Sequence, residues 1–255
     1  MISALIRRPS TQMEGGERTH LGRAPIDPDL ARQQHEAYAA ALGAAGLRVV
    51  VLEADDGLAD CAFVEDMAVI LPEVSVLLRP GAPSRRGEQA AVAAALPDDR
   101  PALTLPAGRM DGGDVLVVGR KIFVGQSTRT DRDGLAALDA LVQPFGYRVE
   151  GVPVPGALHL KTAVTALNQE TLLLNPHWID ETAFSAFRRL KVDPSEPFGA
   201  NTLTLAGRTL AQASTPATRA VLEAAGFPTL ALDISEFAKA EAGLTCLSLI
   251  VPARG

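Results

Sequence analysis

The chain has 255 residues, of which 47% are hydrophobic and 21% are charged, and its net charge is −6. This acidic balance argues against a broad cationic surface for nucleic acid or an anionic membrane. Its two cysteines are too few for a disulfide framework, and no segment approaches the ~18 apolar residues of a membrane span. The apolar run at residues 1–6 is too short for a signal peptide, so we expect a cytoplasmic protein.

The first quarter of the chain predicts a strand, a long loop, a helix and a second strand. Residues 2–8 have the composition of a short strand. Residues 10–23 are polar and glycine-rich without periodicity, which is typical of a lid or a binding loop. A helix over residues 29–45, with Gly46 as its C-cap, leads to a strand over residues 47–52.

From there one theme recurs: a helix, a short apolar strand, a loop, and a second apolar strand that opens on a polar residue. The helix–strand pairs fall at 39–52, 89–105, 134–154, 182–192 and 218–234. The polar residues that open the second strands recur about every 45 residues and are Asp66, Asp111, His159, Asn201 and Cys246. One interpretation is a series of ordinary α/β units. The other is a five-unit ring whose equivalent positions face one central cavity.

The segment from Gly243 to Val251 predicts a buried strand that carries the thiol of Cys246 near its start. A cysteine in such a run is by default a small core residue. A ring would change that interpretation by bringing the thiol close to an imidazole and a carboxylate, the groups of nucleophilic catalysis.

Of the four histidines, His159 is the best candidate for such an imidazole, because it lies between apolar neighbours where a strand is predicted to begin. A hydrogen-bonded structural histidine is the alternative. His20 lies in the long loop, His35 on a predicted polar helix face, and His177 beside Trp178.

Two acidic motifs precede apolar strands. Glu65 and Asp66 would be poorly solvated at the start of a central strand, and buried carboxylates need cationic partners, which a guanidinium substrate would supply. Acids at a strand edge, bonded to turn amides, are the alternative. Residues 111–114, Asp-Gly-Gly-Asp, predict either a plain tight turn or a site where glycines let the backbone approach a ligand.

Two arginine motifs predict an anion site. Ser84 resembles an N-cap, which would place Arg85 and Arg86 in a first helical turn, where cations oppose the helix dipole. A substrate carboxylate would explain that placement. Arg129 is a second candidate for the same role, with a solvated surface arginine as the alternative.

Taken together, these motifs resemble the dimethylargininase family of the pentein superfamily, which also holds arginine deiminases and amidinotransferases. The resemblance runs in order from about residue 46 onward and implies an α/β fold, a five-bladed α/β propeller of ββαβ-type repeats around a central active-site channel. It also implies that residues 1–255 form a single catalytic domain. The matching stretches are 60–66, 79–86, 111–116, 123–125, 129–130, 158–161 and 244–246.

The resemblance also implies a role for each site residue. Cys246 would be the nucleophile and His159 the general acid and base, oriented by Asp111. The other implied positions bind substrate: Asp60, Glu65 and Asp66 the guanidinium, Arg85 and Arg129 the α-carboxylate, and Leu21 and the backbone near Glu241 the α-amino group. It implies no metal and no cofactor, a small-molecule substrate as partner, and leaves a homodimer open.

The implied reaction is hydrolysis of N-methylated L-arginine to L-citrulline and an alkylamine through a thiouronium on Cys246. Arginine deiminase is the nearest alternative, but that family carries His-x-Asp where this chain has His159-Leu160-Lys161. A catalytically silent pentein that binds a macromolecule is the alternative from another class. The surrounding carboxylates predict that Cys246 is a protonated thiol before substrate binds.

Overall fold

Five copies of one small sheet make up the computed structural model of the protein, which describes residues 2–254. In every sheet the first strand pairs antiparallel with the second, and the second pairs parallel with the third. Four of the five sheets, or blades, are β3 (Ala68–Ile70), β4 (Ser75–Leu77) and β5 (Ala102–Thr104); β6 (Val115–Val118), β7 (Lys121–Gln126) and β8 (Arg148–Pro153); β9 (Val164–Ala166), β10 (Thr171–Leu174) and β11 (Arg188–Lys191); and β12 (Leu203–Leu205), β13 (Arg208–Gln212) and β14 (Thr229–Leu232).

The fifth blade joins opposite ends of the described chain. It consists of β15 (Leu249–Val251), β1 (Ser3–Arg7) and β2 (Arg48–Leu52), with Ser3 opposite Val251. The first strands of neighbouring blades also touch, β15 with β3, β6 with β9, and β9 with β12. The prediction of a five-bladed α/β propeller is confirmed.

Helices connect the second and third strands of the blades. These crossovers are α1 (Pro28–Ala44), α2 (Gln89–Ala95), α3 (Arg132–Val142) and α5 (Pro216–Ala224), while a 3-10 turn at Glu181–Phe184 takes the place of the helix predicted before residue 192. Two short helices, α4 (Leu160–Ala163) and α6 (Ser235–Lys239), lie elsewhere, and the remaining 3-10 turns are Met13–Gly15, Val64–Met67, Pro83–Glu88, Gly112–Asp114, Gln143–Phe145, Pro197–Ala200 and Thr245–Leu247. No helix within residues 2–254 is long and apolar enough to cross a membrane.

The hydrophobic core is divided into wedges between helices and blades. In one wedge, α3 buries Leu138 and Val142 against Ile122 of β7. In the next, Phe123 of β7 meets Leu172 of β10. Each central strand is flanked by two others and covered on both faces, so β10 is buried along its whole length, as its run of leucines predicts.

One turn of helix precedes the first strand of every blade, and this feature was missed by the sequence prediction. Residues 243–251 do not form a continuous strand, because Thr245–Leu247 is a 3-10 turn and β15 begins at Leu249. The equivalent turns are Val64–Met67, Gly112–Asp114, α4 and Pro197–Ala200. A turn of three or four residues has no periodicity that a sequence pattern can reveal.

The first helix was predicted well except for its buried face. It runs over Pro28–Ala44, Asp27 caps it by accepting from the amide of Asp29 at 2.9 Å, and Gly46 follows with a positive φ of 86°. His35 lies inside the protein, so the prediction that it lies on a polar face is wrong.

Two helical glycines provide a matched test of this packing. A Cβ at Gly134 of α3 would overlap the backbone oxygen of Arg109, whereas a Cβ at Gly43 of α1 would meet open space. We expect Gly134→Ala to lower the free energy of unfolding by about 1–3 kcal/mol, because backbone cannot yield to the methyl group. Gly43→Ala should raise it by about 0.5–1 kcal/mol through helix propensity. Urea denaturation measures both, and equal effects of the two substitutions would contradict the packing described for α3.

Candidate active site

The helical turns that precede the first strands, together with the neighbouring loops, bring most of the predicted residues to one narrow pocket. Seven of the ten line it directly: Asp60, Asp66, Arg85, Arg129, His159, Glu241 and Cys246. Glu17, Phe63, Leu158, Ala240 and Ala242 complete the wall. Asp111, Glu65 and Leu21 adjoin this wall without forming part of it. The ring therefore gathers side chains that lie far apart in sequence.

Cys246 lies in the 3-10 turn before β15, where its sulfur accepts a hydrogen bond from the amide of Gly243 at 3.4 Å. Tyr38 of α1 holds both sides of this turn, because its hydroxyl donates to the carbonyl of Leu244 at 2.9 Å and lies 2.8 Å from the hydroxyl of Ser248. Sequence reasoning missed Tyr38, since nothing in a helix sequence shows which distant turn a buried hydroxyl will meet.

Asn201 supports the same turn from the fourth blade. Its amide nitrogen donates to the hydroxyl of Thr245 at 3.0 Å and to the carbonyl of Lys161 at 2.9 Å, while its oxygen accepts from the amide of Thr245. Of the five periodic polar residues, Asn201 therefore has a structural role, because its hydrogen bonds connect the turn of Cys246 to the short helix that follows His159.

His159 and Asp111 form a buried pair. The His159 Nε2 lies 3.0 Å from one oxygen of Asp111, and the other oxygen accepts from the amide of Gly81 at 2.7 Å. The remaining nitrogen, Nδ1, packs on Gly113, where any Cβ would overlap the ring. Burial lowers the pKa of His159, but the charge of Asp66, the hydrogen bond to Asp111 and further carboxylates outweigh it and raise that pKa to about 9.

Asp66 lies between two cations. It accepts from Arg85 at 2.5 Å and from the amide of Gly113 at 2.8 Å. Burial disfavours its charge, yet the charges of His159 and Arg85 outweigh burial and lower the pKa of Asp66 to about 2. The carboxylate is therefore ionised throughout the physiological range.

The two predicted carboxylate-binding arginines differ in their surroundings. Arg85 donates to Asp66 and Glu88, at 2.7 Å to the latter, and to the carbonyl of Phe63 at 3.0 Å. Arg129 is equally buried and lines the pocket, but no hydrogen bond or ion pair engages its guanidinium within residues 2–254. Arg129 is thus the cation whose charge is available to a ligand.

The prediction that Ser84 caps a helix, with Arg85 in its first turn, is wrong. Ser84 is not an N-cap: the 3-10 turn begins after Ala82, and the Ser84 hydroxyl donates to Glu17 at 2.5 Å. Arg85 lies within this 3-10 turn and not at the start of an α-helix, and Asp66 and Glu88 compensate its charge.

Glu65 lies one layer below the pocket. It pairs with Lys161 at 2.5 Å and accepts from the hydroxyl of Thr245 at 2.8 Å, and both Glu65 and Lys161 face the axial channel on the far side of the ring. Burial raises the pKa of Glu65. The predicted direct contact between Glu65 and a guanidinium is therefore not prepared in this conformation, and Lys161 is a neighbour that sequence reasoning did not anticipate.

The long loop over residues 10–23 reaches the pocket through two carboxylates. Asp60 accepts from the amide of Glu17 at 2.9 Å, and burial raises its pKa. Glu241, whose φ is 64°, accepts from the amides of His20 and Leu21, both at 2.6 Å. The side chain of Glu241, not only its backbone, thus meets the loop, and its second oxygen is buried without a hydrogen-bond partner in the described chain.

The surroundings of Cys246 favour the neutral thiol. Burial raises the pKa of Cys246, and the charges of Glu65 and Asp66 raise it further. At neutral pH the unliganded pocket therefore holds a protonated thiol beside a protonated imidazole. A cationic ligand between the carboxylates and the sulfur would stabilise the thiolate.

The closest set of metal-ligating groups is Asp66, Asp111 and His159, whose ligand atoms lie within 4.8 Å of one another. Hydrogen-bond donors already engage all four carboxylate oxygens of this set: Arg85 and Gly113 on Asp66, and His159 and Gly81 on Asp111. The arrangement suits proton exchange at the imidazole better than binding of a cation.

Comparison with known proteins gives a consistent family. A family model described as "N,N dimethylarginine dimethylhydrolase, eukaryotic" matches residues 23–183. An N(G),N(G)-dimethylarginine dimethylaminohydrolase of Streptomyces coelicolor is 41% identical over 96% of this chain and 95% of its own length. One from Pseudomonas aeruginosa is 29% identical over 96% and 97%, respectively.

Solved structures agree with these matches. A mutant of the Pseudomonas aeruginosa enzyme complexed with citrulline superposes with a TM-score of 0.92, at 28% identity over 98% of this chain and 99% of that one. The N-terminal domain of a cyanobacterial arginine dihydrolase, ArgZ, superposes with a TM-score of 0.86 over 99% of both chains, but at 20% identity it shows the fold alone.

The state of the thiol can be tested by alkylation. In a Cys61→Ala background Cys246 is the one remaining cysteine, and Glu65→Gln removes a negative charge that raises its pKa. We expect the pH midpoint for reaction with iodoacetamide to fall by about one unit in Glu65→Gln, because the thiolate loses a repulsive neighbour. The background protein should react slowly at pH 7. Rapid, pH-independent alkylation at neutral pH would show a resident thiolate and contradict this description.

Proposed function

The chain belongs to the dimethylarginine dimethylaminohydrolase family, and from that premise we propose that it hydrolyses N-methylated L-arginine to L-citrulline and dimethylamine or methylamine. It is a hydrolase of C–N bonds. The observation that carries the proposal is one pocket lined by the Cys246 thiol, the ionised Asp66, the unengaged Arg129 and His159, which Asp111 supports from behind the wall. This set matches a substrate with a cation at one end and a carboxylate at the other.

The charges of the pocket support one orientation of the substrate. The guanidinium would lie between Cys246 and the carboxylates of Asp66 and Asp60, with Glu65 adding negative charge from below. A carboxylate oxygen has two lone pairs, so Asp66 can accept from substrate while it keeps Arg85.

The amino-acid end would lie towards the loop. The α-carboxylate would meet Arg129, with Arg85 as the nearer cation to the guanidinium end, and the α-ammonium would meet Leu21 and Glu241. The unpartnered oxygen of Glu241 supplies an acceptor there. Leu21 is 39% exposed, which suits the outer end of such a pocket.

The first half of the reaction follows from these charges. Substrate binding offsets the carboxylates that hold the thiol neutral, so Cys246 releases its proton to solvent while His159 keeps its own, and the thiolate sulfur attacks the guanidinium carbon. Protonated His159 then donates its proton to the alkylated nitrogen, the C–N bond breaks, and the amine departs. A cationic thiouronium remains on Cys246, and Asp66 and Asp60 stabilise its charge.

The second half uses the same groups in reverse. His159 is now neutral and takes a proton from water, whose oxygen attacks the thiouronium carbon. The C–S bond breaks, the sulfur leaves as the thiolate, and loss of a proton from the product gives the urea group of citrulline. Asp111 keeps His159 oriented and stabilises its charged form in both halves.

Lys161 supports the choice of a methylated substrate. Where deiminases carry an acid, this chain has a cation that pairs with Glu65. That pair withdraws one carboxylate acceptor from the guanidinium site, which suits an alkylated nitrogen because its methyl groups replace N–H donors.

We further propose that the whole ring, residues 1–255, acts as one catalytic domain, since its pocket draws on residues from Asp60 to Cys246. A reducing compartment such as the cytoplasm suits a reaction that needs a free thiol, and both cysteines are free. A small molecule is the partner of the site. We also propose a homodimer, which sedimentation analysis can test. The negative net charge predicts no binding of nucleic acid or of an anionic membrane.

Turnover assays test the function directly. We expect citrulline release from asymmetric dimethylarginine and monomethylarginine, with weaker release from arginine. Cys246→Ser should lower kcat by roughly a thousandfold or more, because a hydroxyl is a far poorer nucleophile here. Cys61→Ala is the matched control and should retain activity, because Cys61 lies outside the pocket. A clear preference for arginine would reassign the substrate, and an active Cys246→Ser variant would reassign the nucleophile.

The two arginines should differ when the substrate carboxylate is removed. Arg129→Ala should lower kcat/KM about 10- to 100-fold for the amino-acid substrate, through the loss of a charged hydrogen bond, and little for the decarboxylated analogue. Arg85→Ala should harm both substrates, because it leaves Asp66 and Glu88 buried without their cation. Equal losses on both substrates in Arg129→Ala would count against carboxylate binding by Arg129.

A further inference from the structure

Asp114 is a completely buried carboxylate to which the mechanism above gives no task. It ends the turn before β6, and its side chain does not reach the pocket. One oxygen accepts from the amide of Leu160 at 2.9 Å. The other accepts from the hydroxyls of Ser127 and Thr130, each at 2.6 Å. Gly125 makes room for it, because a Cβ there would overlap the carboxylate.

Each of these partners leads to a residue of the pocket. Leu160 directly follows His159, so its bond to Asp114 fixes the turn that aims the imidazole. The Thr130 hydroxyl also accepts from the amide of Asp111 at 3.3 Å. The Ser127 hydroxyl accepts from the amide of Arg129 at 3.0 Å. Through these partners the Asp114 carboxylate supports the backbone of His159, Asp111 and Arg129 on the side away from the pocket.

The charge of Asp114 also favours the protonated form of the imidazole. Within residues 2–254 no lysine or arginine forms an ion pair with Asp114, and the opposite charge that favours its ionised form is that of His159. Burial raises the pKa of Asp114 to about 6, against the charge of His159 and the three hydrogen bonds. Several titratable and charged groups surround His159. The turns contribute Asp66 (64–67), Asp114 (112–114) with Asp111 directly before it, and Cys246 (245–247), and the pocket wall contributes Glu17, Asp60, Arg85, Arg129 and Glu241.

We propose that Asp114 is a positioning residue for the hydrolysis, which holds the His159 ring in register with Asp111 and helps to keep that ring protonated. The inference rests on the proposed function, in which His159 must donate a proton to the departing amine. A purely structural carboxylate would cap a helix without changing the chemistry of the imidazole.

Glu196 provides the matched structural control. Its carboxylate accepts from the amides of Ala217 and Thr218, at 2.9 and 2.7 Å, and so caps α5 as Asp114 caps α4. It lies outside the pocket of Cys246. Asp114→Asn and Glu196→Gln therefore make the same chemical change at two helix starts, of which one carries the imidazole.

The experiment compares the two variants in the full chain by thermal unfolding and by pH–rate profiles with asymmetric dimethylarginine. For Asp114→Asn we expect kcat to fall about tenfold to a hundredfold through misplacement of the imidazole, with KM changed less than about threefold. The alkaline limb of the profile, where His159 loses its proton, should move to lower pH by about one unit, since a neighbouring negative charge is gone. Glu196→Gln should change neither kcat nor the limb.

A second measurement separates this inference from the proposed function. NMR titration of His159, labelled with ¹³C, needs no turnover, so it reports the effect of Asp114 even if methylated arginine is not the substrate. The pH midpoint of the His159 titration should be lower in Asp114→Asn than in the unmodified protein, and it should be unchanged in Glu196→Gln. An unchanged midpoint and an unmoved alkaline limb would overturn the inference. If Asp114→Asn does not fold, Thr130→Val replaces it, with a smaller shift in the same direction expected, and no shift there would also overturn it.

Discussion

Negative charge buried at the axis of the ring is the constraint on which the site depends. Four carboxylates, those of Glu65, Asp66, Asp111 and Asp114, lie in one small region with almost no exposure to water. A buried charge without a partner is costly, so each must be matched by a cation or by several donors. Lys161, Arg85, His159 and a set of backbone amides and hydroxyls provide that match.

This balance sets the chemistry of the sulfur. The surplus of carboxylates keeps the imidazole charged and the thiol neutral, so the nucleophile is generated by a ligand that brings positive charge with it. Selectivity for a cationic substrate and activation of Cys246 are then one effect. An electrophile without positive charge does not offset the carboxylates, so Cys246 stays a neutral thiol, which is a poor nucleophile.

The sequence revealed the ring and its polar positions because both depend on repetition. The spacing of Asp66, Asp111, His159 and Cys246 reflects the length of one blade, and that length is visible without knowledge of any contact. What could not be predicted depends on contacts between blades. The pairing of Glu65 with Lys161, the burial of His35 and the support of the Cys246 turn by Tyr38 each join segments whose approach no local pattern encodes. The strand predicted at Cys246 failed for a different reason, since a single 3-10 turn is too short to have a pattern.

Closure of the ring by β1 and β15 is a strand pairing between opposite ends of the described chain. These strands pair across almost the whole length of the chain, and such distant contacts form slowly because a long loop must first be closed. The turn that carries Cys246 directly precedes β15. The turn that holds the nucleophile is therefore anchored by the same strand pairing that closes the ring. A partly folded chain has no assembled site, so catalytic activity reports on the topology of the entire molecule.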